Sequence, residues 1–272
     1  MSFETLPIPQ IEEKENKQTK ESRKEQKQER RKRQEETLEN FIENFEEYIL
    51  YEDEDIIVMN KPAGIISHRA PGHLVGIAEV VKKKKGANIC HRLDIDTSGL
   101  MIFGKHKKAT SVVMKQFAQR QVQKRYMALV DGEWNTKIAG IIAPLQENRK
   151  RVQVKEKQKG TRGAATSFDE IALLESGGNK KSLLDIRIFT GRKHQIRSHL
   201  RHLEYPITGD QLYNVDKLGF ERQLLHSTSL TFTHPTTSEE MTLKAPLTDD
   251  FKEFLQEADV VEKTDKFDEL IK

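Results

Sequence analysis

Residues 89–103, ICHRLDIDTSGLMIF, place a dense polar block between two apolar stretches. A short apolar run bounded by turn residues indicates a buried strand, and the polar block then forms a loop at the end of the sheet. Loops of this kind often display functional carboxylates, and Asp94 and Asp96 are the candidates here. The same two side chains would also cap a turn together with Thr97 and Ser98. Spacing alone leaves a catalytic role and a structural role both open.

The rest of the chain contains more strand-like segments than helical ones, and the two kinds do not alternate strictly. This pattern favours an α+β fold around a mixed, largely antiparallel sheet over a doubly wound parallel one. The predicted strands are residues 56–59, 100–103, 127–130, 164–174, 183–189, 224–232 and 241–244, and a helical pattern covers 109–119.

The two ends of the chain differ in composition from the body. Residues 12–37 contain no apolar side chain, so we expect 1–37 to be a charged, solvated extension, with helix formers that make a helix plausible. Residues 38–256 form the predicted main domain, and 257–272 are expected to be an acidic tail. The extension suits either a solvated spacer or a non-specific nucleic-acid arm.

Composition excludes several classes of protein. The single cysteine, Cys90, rules out a disulfide framework and a cysteine-cluster zinc site. No run approaches the roughly 18 apolar residues that a membrane span needs. With a polar amino terminus, the sequence predicts a soluble, cytoplasmic protein with no membrane partner.

Positive charge is concentrated in the body. Residues 37–254 carry a net charge of +5, although the whole chain carries only +3. Residues 82–85 are four lysines, and residues 149–162 hold seven basic side chains and one acidic one. Either segment suits contacts with a polyanion or a solvated surface, and the sequence does not choose between them.

Three apparent motifs do not hold. Residues 99–105 have phosphate-loop spacing, but His106 follows where Ser or Thr would hold magnesium, and the four intervening residues are apolar. His194, His199 and His202 lack the spacing that places metal ligands on one helical face. The segment HRLD differs from a kinase catalytic loop in residue order. We therefore expect no metal.

The block HRLDIDTSG at 91–99 resembles the signature of the RluA-type RNA pseudouridine synthases, and six further blocks occur in the expected order. They are YEDEDIIVMNKPAG at 51–64, KRYMALVDG at 124–132, TGRKHQIRSHL at 190–200, PITGDQLY at 206–213, LLHSTSLTFTHP at 224–235 and LKAPL at 243–247. The resemblance covers about residues 48–251. It implies the pseudouridine synthase fold, with an active-site cleft at the middle of the sheet and 38–256 as the catalytic domain.

The resemblance also implies the reaction: uracil is detached from its ribose, turned, and rejoined through carbon. No atom is gained or lost, so no cofactor is expected. The target base must leave the RNA stack to be reached. The implied catalytic residues are Asp94 as nucleophile, Arg192 as its ion-pair partner and Tyr126 as the aromatic that stacks on the target base.

The implied substrate-binding residues surround that trio. Arg92 is expected to occupy the vacated stack, and Ile196 to close the pocket against water. Lys61, His91 and Lys124 complete the set. For Lys61 a structural role is favoured, and His91 is expected to shape the nucleophile's loop.

Target choice stays open in the sequence. Lys193 and the pair Glu204 and Tyr205 depart from the residues usual in the family, and the charged extension stands where many relatives carry a folded RNA-binding module. Large-subunit rRNA is favoured, with tRNA as the other possible substrate, and the protein is expected to be a monomer. The alternative function is a catalytically inert RNA-binding or ribosome-assembly factor with the same fold.

Overall fold

The computed structural model describes residues 20–70, 75–148, 151–214 and 220–270. Within these ranges no helix is long and apolar enough to cross a membrane. The helices are α1 (Lys20–Glu43), α2 (Ile77–Lys85), α3 (Lys107–Ala118), α4 (Gln195–His202), α5 (Asp249–Glu257) and α6 (Asp265–Leu270). The strands are β1 (Ile49–Glu52), β2 (Ile56–Lys61), β3 (Asn88–Ile89), β4 (Ser98–Gly104), β5 (Gln123–Asp131), β6 (Gly140–Ile142), β7 (Leu145–Glu147), β8 (Val152–Val154), β9 (Ala165–Ser176), β10 (Asn179–Ile188), β11 (Leu225–Thr233), β12 (Glu240–Lys244) and β13 (Asp259–Lys263).

One large mixed sheet organises the molecule, in the order β1-β2-β4-β11-β5-β10-β9-β13. Strands β12, β3 and β6 pair with β11, β4 and β9, while β7 and β8 form a separate hairpin. The pairing of β4 with β11 is parallel, and every other strand pairing named here is antiparallel. The prediction of an α+β fold around a mixed, largely antiparallel sheet is confirmed.

The sheet is buried on both faces, and β5 shows how. Successive side chains on a strand point to opposite faces. Tyr126 and Ala128 therefore enter the larger core cluster, together with Phe41 of α1. Met127 enters the opposite cluster, which α5 covers with Phe251. A strand buried on both faces reads as a continuous apolar run, which is why residues 127–130 are uniformly hydrophobic.

Helix α1 begins in the charged extension and ends in the core. The predicted boundary between residues 37 and 38 lies inside this helix, and residues 1–19 of the extension lie outside the described part. Phe41 is fully buried and Leu38 packs beside it, so the apolar residues after Thr37 anchor the helix. Farther toward the amino terminus of α1, Arg30 and Arg33 form ion pairs with Asp96 and Glu221 of the main domain.

The carboxyl-terminal segment was expected to be an acidic tail, and that expectation is wrong for residues 257–270. Strand β13 pairs with β9, and α6 follows it. Phe267 is 1% exposed in the core cluster under α5, so burial of this ring fixes the segment despite its acidic composition.

Residues 99–104, considered above as a phosphate loop, form most of β4. Gly99 has φ of +108°, and a Cβ at this position would lie 2.3 Å from the carbonyl oxygen of Ser227. Only glycine allows this approach of β4 to β11. The approach holds the loop before β4 against the start of β11, near the middle of the sheet.

Candidate active site

The loop of residues 90–97, here called the Asp94 loop, is clamped from below by the segment that follows β2. The Ser67 hydroxyl donates to the carbonyl oxygen of Leu93 at 2.6 Å and accepts from its amide at 2.9 Å. The Ile95 carbonyl accepts from Lys61 Nζ at 3.0 Å and from the Gly64 amide at 2.9 Å. These bonds fix the backbone on both sides of Asp94.

Asp94 faces a buried arginine. Arg197 Nη1 donates to Asp94 Oδ2 at 2.9 Å, and Asp94 keeps 23% of its side chain exposed. Arg197 also donates to both carboxylate oxygens of Asp210, from Nε at 2.7 Å and from Nη2 at 2.9 Å. The Asp210 side chain is fully buried and further accepts from the amides of Leu212 and Tyr213. Asp210 therefore orients the guanidinium that meets Asp94.

The charges of this trio support one another. Burial opposes the charged form of Arg197, but the hydrogen bond and charge of Asp210, followed by the charge of Asp94, raise the Arg197 pKa above its ordinary value. A charge-assisted hydrogen bond to a carboxylate favours the ionised acid. The charged Arg197 guanidinium is thus held against Oδ2 of Asp94.

The expected ion pair between Asp94 and Arg192 is wrong. Arg192 lies in the turn before α4, and its Nε donates to the carbonyl oxygen of Gly163 at 3.3 Å. Helix α4 begins at Gln195, so Arg197 occupies its first turn and points at the Asp94 loop. Both arginines belong to the block TGRKHQIR, and the helix start decides which of them reaches the carboxylate.

His194 is a second neighbour of Asp94. Its Nε2 lies 3.8 Å from Asp94 Oδ2, and its Nδ1 is 3.0 Å from the hydroxyl of Tyr213. The backbone at His194 is left-handed, with φ of +49°, where the turn passes into α4. Burial lowers the His194 pKa more than the charge of Asp94 raises it, so the ring is neutral near pH 7.

Tyr126 and Ile196 form the apolar wall beside this cluster. Tyr126 is 8% exposed and Ile196 is 5% exposed, and both belong to the same core cluster. Burial raises the Tyr126 pKa, the Ser227 hydroxyl opposes this, and the charge of Asp94 adds to it. The phenol therefore keeps its proton at neutral pH.

The remaining predicted site residues lie at different depths. Arg92 is exposed at the rim of the Asp94 loop. The His91 ring stacks on Phe117 of α3, with 4.3 Å between the ring centroids, and its Nε2 accepts a hydrogen bond from the Ile102 amide of β4. These contacts anchor the start of the Asp94 loop to α3 and β4. Burial lowers the pKa of His91 to about 3, which keeps it neutral. Lys124 is buried, and its Nζ donates to the carbonyl oxygen of Val122.

Lys61 lies under the Asp94 loop. Its side chain is fully buried, and Nζ donates to the carbonyl oxygens of Pro62 and Ile95. Burial lowers the Lys61 pKa to about 7, the charge of Asp96 opposes this, and the charge of Arg222 adds to it. The amine is thus bonded to the backbone on one side of Asp94, which agrees with the structural role favoured from the sequence.

Among the described residues, one group of potential metal ligands comes together, namely Asp53, Asp55 and His234. His234 Nδ1 accepts from the amides of Thr236 and Thr237, so its proton lies on Nε2, which faces Asp53 at 2.9 Å. A metal on Nε2 of a neutral ring would move that proton to Nδ1, against the two amides. The group is therefore a hydrogen-bonded turn and not a metal site.

Three residues of the site were not identified from the sequence: Arg197, Asp210 and His194. Each lies within a block that carries the family resemblance, so the blocks marked the correct segments. The 103-residue separation between Asp94 and Arg197 gives no local pattern from which their contact follows. Together these side chains place a guanidinium and an imidazole within 4 Å of the Asp94 carboxylate.

Comparison with known proteins agrees with this geometry. The family model described as RNA pseudouridylate synthase matches residues 55–202. YlyB of Bacillus subtilis, described as an uncharacterised RNA pseudouridine synthase, is 33% identical over 233 residues, which cover 81% of this chain and 76% of the relative. The ribosomal large subunit pseudouridine synthase C of Haemophilus ducreyi is 34% identical over 232 residues, covering 79% of this chain and 70% of that protein.

A solved structure gives the same result for the fold. The human RNA pseudouridylate synthase domain containing 1 superposes with a TM-score of 0.68 at 22% identity, covering 82% of this chain and 92% of the human one. A similarity at this level of identity establishes a shared fold. With the family match and the relatives above, it follows that this chain belongs to the RNA pseudouridine synthase family, whose members are isomerases acting on uridines in RNA.

Proposed function

We propose that this protein converts specific uridines of a structured RNA to pseudouridine with Asp94 as the nucleophile, and that large-subunit rRNA is its substrate, ahead of tRNA. The observation that carries the proposal is the charge-assisted contact between Asp94 and Arg197, with Asp210 fixing the arginine. The relatives named as ribosomal large subunit synthases support the choice of rRNA.

The isomerisation breaks the bond between the ribose anomeric carbon and N1 of uracil. The base then turns and bonds to the same carbon through C5, which loses a proton while N1 gains one. An anionic Asp94 begins the reaction by one of two routes, attack at the anomeric carbon or abstraction of a sugar proton that starts elimination. Both routes need the ionised carboxylate that Arg197 favours.

The surrounding residues have separate roles in the proposal. Tyr126 stacks on the extruded base, a contact worth roughly 1 to 3 kcal/mol. Ile196 closes the apolar side of the pocket, because water reaching the cleaved sugar would hydrolyse it. Arg92, exposed beside the Asp94 loop, fills the gap that the extruded uridine leaves in the RNA stack.

Lys61 and His91 act as positioning residues for the Asp94 loop in this account. Catalysis is assigned to the domain that begins at residue 38. The single free cysteine, Cys90, suits the reducing conditions of the cytoplasm, where the proposed substrates would be met.

The proposal is tested in a strain that lacks the protein. Pseudouridine is mapped in its rRNA and tRNA by a carbodiimide stop assay, with and without plasmid copies of the wild type and of Asp94→Asn. We expect one or a few stops in large-subunit rRNA to disappear in the deletion and to return only with the wild type. An unchanged map, or a map restored by Asp94→Asn, would contradict the proposal.

The inert RNA-binding or ribosome-assembly factor makes the opposite prediction for the same strains. If the protein acts only by binding, any growth defect of the deletion would be rescued equally by Asp94→Asn. The buried Asp210 that orients Arg197 toward Asp94 argues against this alternative, because a binding protein has no need for an ionised carboxylate in the cleft.

A further inference from the structure

The hydroxyl of Tyr213 joins the β7–β8 hairpin to the active site. Its oxygen accepts from the amide of Val152 at 2.7 Å, lies 3.0 Å from the carbonyl oxygen of Val152, and lies 3.0 Å from His194 Nδ1. Tyr213 is 6% exposed and Val152 is 2% exposed, so these contacts are shielded from solvent. The guanidinium carbon of Arg197 lies 5.1 Å from the centroid of the Tyr213 ring, so the same tyrosine packs on the arginine that meets Asp94.

Both polar groups of the Val152 backbone depend on this hydroxyl. The Asn148 amide donates to the Arg151 carbonyl oxygen at 2.8 Å, which makes these two residues a hydrogen-bonded pair of the hairpin. Such pairs alternate with unbonded ones along an antiparallel ladder, so the next pair, Glu147 with Val152, points its backbone groups outward. Val152 therefore presents its N–H and its C=O to Tyr213 and not to β7.

The hydroxyl has three contacts and one hydrogen, and this decides how the hydrogen is used. A hydroxyl donates one hydrogen bond and accepts two. The amide of Val152 can only donate to it, and the carbonyl oxygen of Val152 can only accept from it. His194 Nδ1 must then donate, because an accepting nitrogen would take the single hydrogen and leave the buried carbonyl unpaired. The proton of the neutral imidazole therefore lies on Nδ1, and Nε2 carries a lone pair.

This lone pair lies beside Asp94. His194 Nε2 is 3.8 Å from Asp94 Oδ2, too far for a hydrogen bond, as expected when two acceptors face one another. The two side chains are 14% and 23% exposed, so part of each is accessible. Arg197 is a cation bonded to the same carboxylate oxygen, and Tyr126 keeps its proton at neutral pH. Among the described neighbours of Asp94, the imidazole is therefore the uncharged group that can accept a proton.

The isomerisation needs a proton acceptor after the base has turned. When C5 bonds to the anomeric carbon, it still carries its hydrogen, and the ring has a double bond between N1 and C6. As C5 loses a proton, the C5–H electron pair forms the C5–C6 double bond, and N1 takes the pair of the N1–C6 π bond together with a proton. In both routes Asp94 acts on the sugar at or next to the anomeric carbon, so a base beside Asp94 lies close to C5.

We propose that His194 Nε2 accepts the proton that uracil C5 loses, and that Tyr213 is the positioning residue that keeps Nε2 unprotonated. This inference rests on the proposed function for the reaction. Burial disfavours the imidazolium that forms, and the charge of Asp94 favours it, so the ring holds the proton only transiently. The imidazolium then releases one proton while N1 takes one up, and the histidine ends neutral.

The tautomer of His194 is measured without substrate. In protein that contains isotopically labelled histidine, two-bond NMR correlations between ring protons and nitrogens show which nitrogen is protonated. The signals that are missing from His194→Asn assign those of His194. We expect the proton on Nδ1 in the wild type, and a shift of part of the population to Nε2 in Tyr213→Phe, which lacks the hydroxyl. A wild-type ring protonated on Nε2, or a tautomer unaffected by Tyr213→Phe, would overturn the proposal.

Single-turnover kinetics tests the proton transfer. The substrates are the RNA that contains the mapped uridine and the same RNA with deuterium at C5 of that uridine. His194→Asn is used because asparagine tolerates the left-handed backbone at this position, and its amide can donate to Tyr213 while offering no base in place of Nε2. His202→Asn, in the last turn of α4, is the matched control.

The expected results distinguish proton transfer from a structural role. General base catalysis contributes roughly 100- to 10,000-fold, so His194→Asn should react at least about 100 times more slowly than the wild type and bind the RNA equally well. Its rate should fall further with the deuterated RNA, because breaking of the C5–H bond then limits it. His202→Asn should react as the wild type does. A His194→Asn protein within about tenfold of the wild-type rate, or one whose rate is insensitive to the deuterium, would overturn the proposal.

The same assay separates this inference from the proposed function. A wild type that forms no pseudouridine would overturn both. Pseudouridine that is lost in Asp94→Asn but formed by His194→Asn at the wild-type rate would overturn only the assignment of His194.

Discussion

Replacing Arg197 with methionine should separate the stability of the site from its chemistry. The change removes three hydrogen bonds, two to Asp210 and one to Asp94. It leaves the fully buried Asp210 carboxylate without a counter-charge. Breaking one partner of a buried ion pair costs about 3 to 5 kcal/mol. The amides of Leu212 and Tyr213 still solvate Asp210, so we expect a loss of about 3 kcal/mol in the free energy of unfolding.

The rate should fall for a different reason. Asp94 loses a charge-assisted hydrogen bond worth about 1.5 to 3 kcal/mol, which corresponds to a rate of pseudouridine formation about 10 to 150 times lower. The double variant Arg197→Met with Asp210→Asn removes the stranded charge and keeps an oxygen for the two amides. It should regain most of the lost stability and none of the lost rate.

Urea unfolding followed by fluorescence measures the stability, because Trp134 is the single tryptophan of the chain and is buried against Phe168. Arg201→Met, on the same helix and without an ion pair in the described ranges, is the control and should change stability by less than about 0.5 kcal/mol. An Arg197→Met protein within 1 kcal/mol of the wild type would refute the reasoning. So would a double variant with a restored rate.

Three further predictions concern the Asp94 loop and its supports. Gly99→Ala should lower the melting temperature by several degrees, because its Cβ would lie 2.3 Å from the Ser227 carbonyl oxygen; an unchanged melt would show that β4 and β11 can separate. In the folded protein the Lys61 pKa is about 7, below the roughly 10.4 of lysine in an unfolded chain. Between these two pH values the unfolded chain binds more protons than the folded one, so the free energy of unfolding should rise with pH. Urea titrations from pH 7 to 9 should show this rise in the wild type and its absence in Lys61→Met, and equal slopes would argue against the lowered pKa. Arg30 is half exposed, and its Nη2 lies 2.6 Å from Asp96 Oδ2. Arg30→Ala should therefore lower the free energy of unfolding by at most about 1 kcal/mol at low salt and leave it unchanged at high salt. A larger loss that does not depend on salt would show a buried role for α1.

The interior strands could be predicted because a strand that is buried on both faces has a continuous run of apolar residues in the sequence. Residues 56–59 and 100–103 are uninterrupted apolar runs, and each lies within an interior strand of the sheet. The carboxyl-terminal segment was mispredicted because its few apolar residues, among them Phe267, are diluted by acids. The average composition of the segment is acidic and polar, whereas its packing depends on the burial of the single Phe267 ring.

The sequence identified the segments that form the candidate site, but it did not identify the central contact, which joins Asp94 to Arg197. The polar block between two strands indicated the position of Asp94, and the resemblance supplied the segment that faces it. The choice between Arg192 and Arg197 depends on where α4 begins and on Asp210, which holds the guanidinium from 13 residues away. Helix boundaries are the least certain part of a sequence prediction, and a shift of the start by one turn changes which side chain reaches the loop.

The central claim is that the carboxylate of Asp94 carries out the chemistry, and a single-turnover assay tests it most directly. Excess Asp94→Asn is incubated with the RNA that contains the mapped uridine, beside the wild type and beside Asp96→Asn, a matched change two residues along the same loop. We predict that Asp94→Asn binds the RNA and forms no pseudouridine, while Asp96→Asn stays within about tenfold of the wild-type rate, because the Asp96 side chain pairs with the half-exposed Arg30. Pseudouridine formed by Asp94→Asn at a rate near that of the wild type would contradict the account.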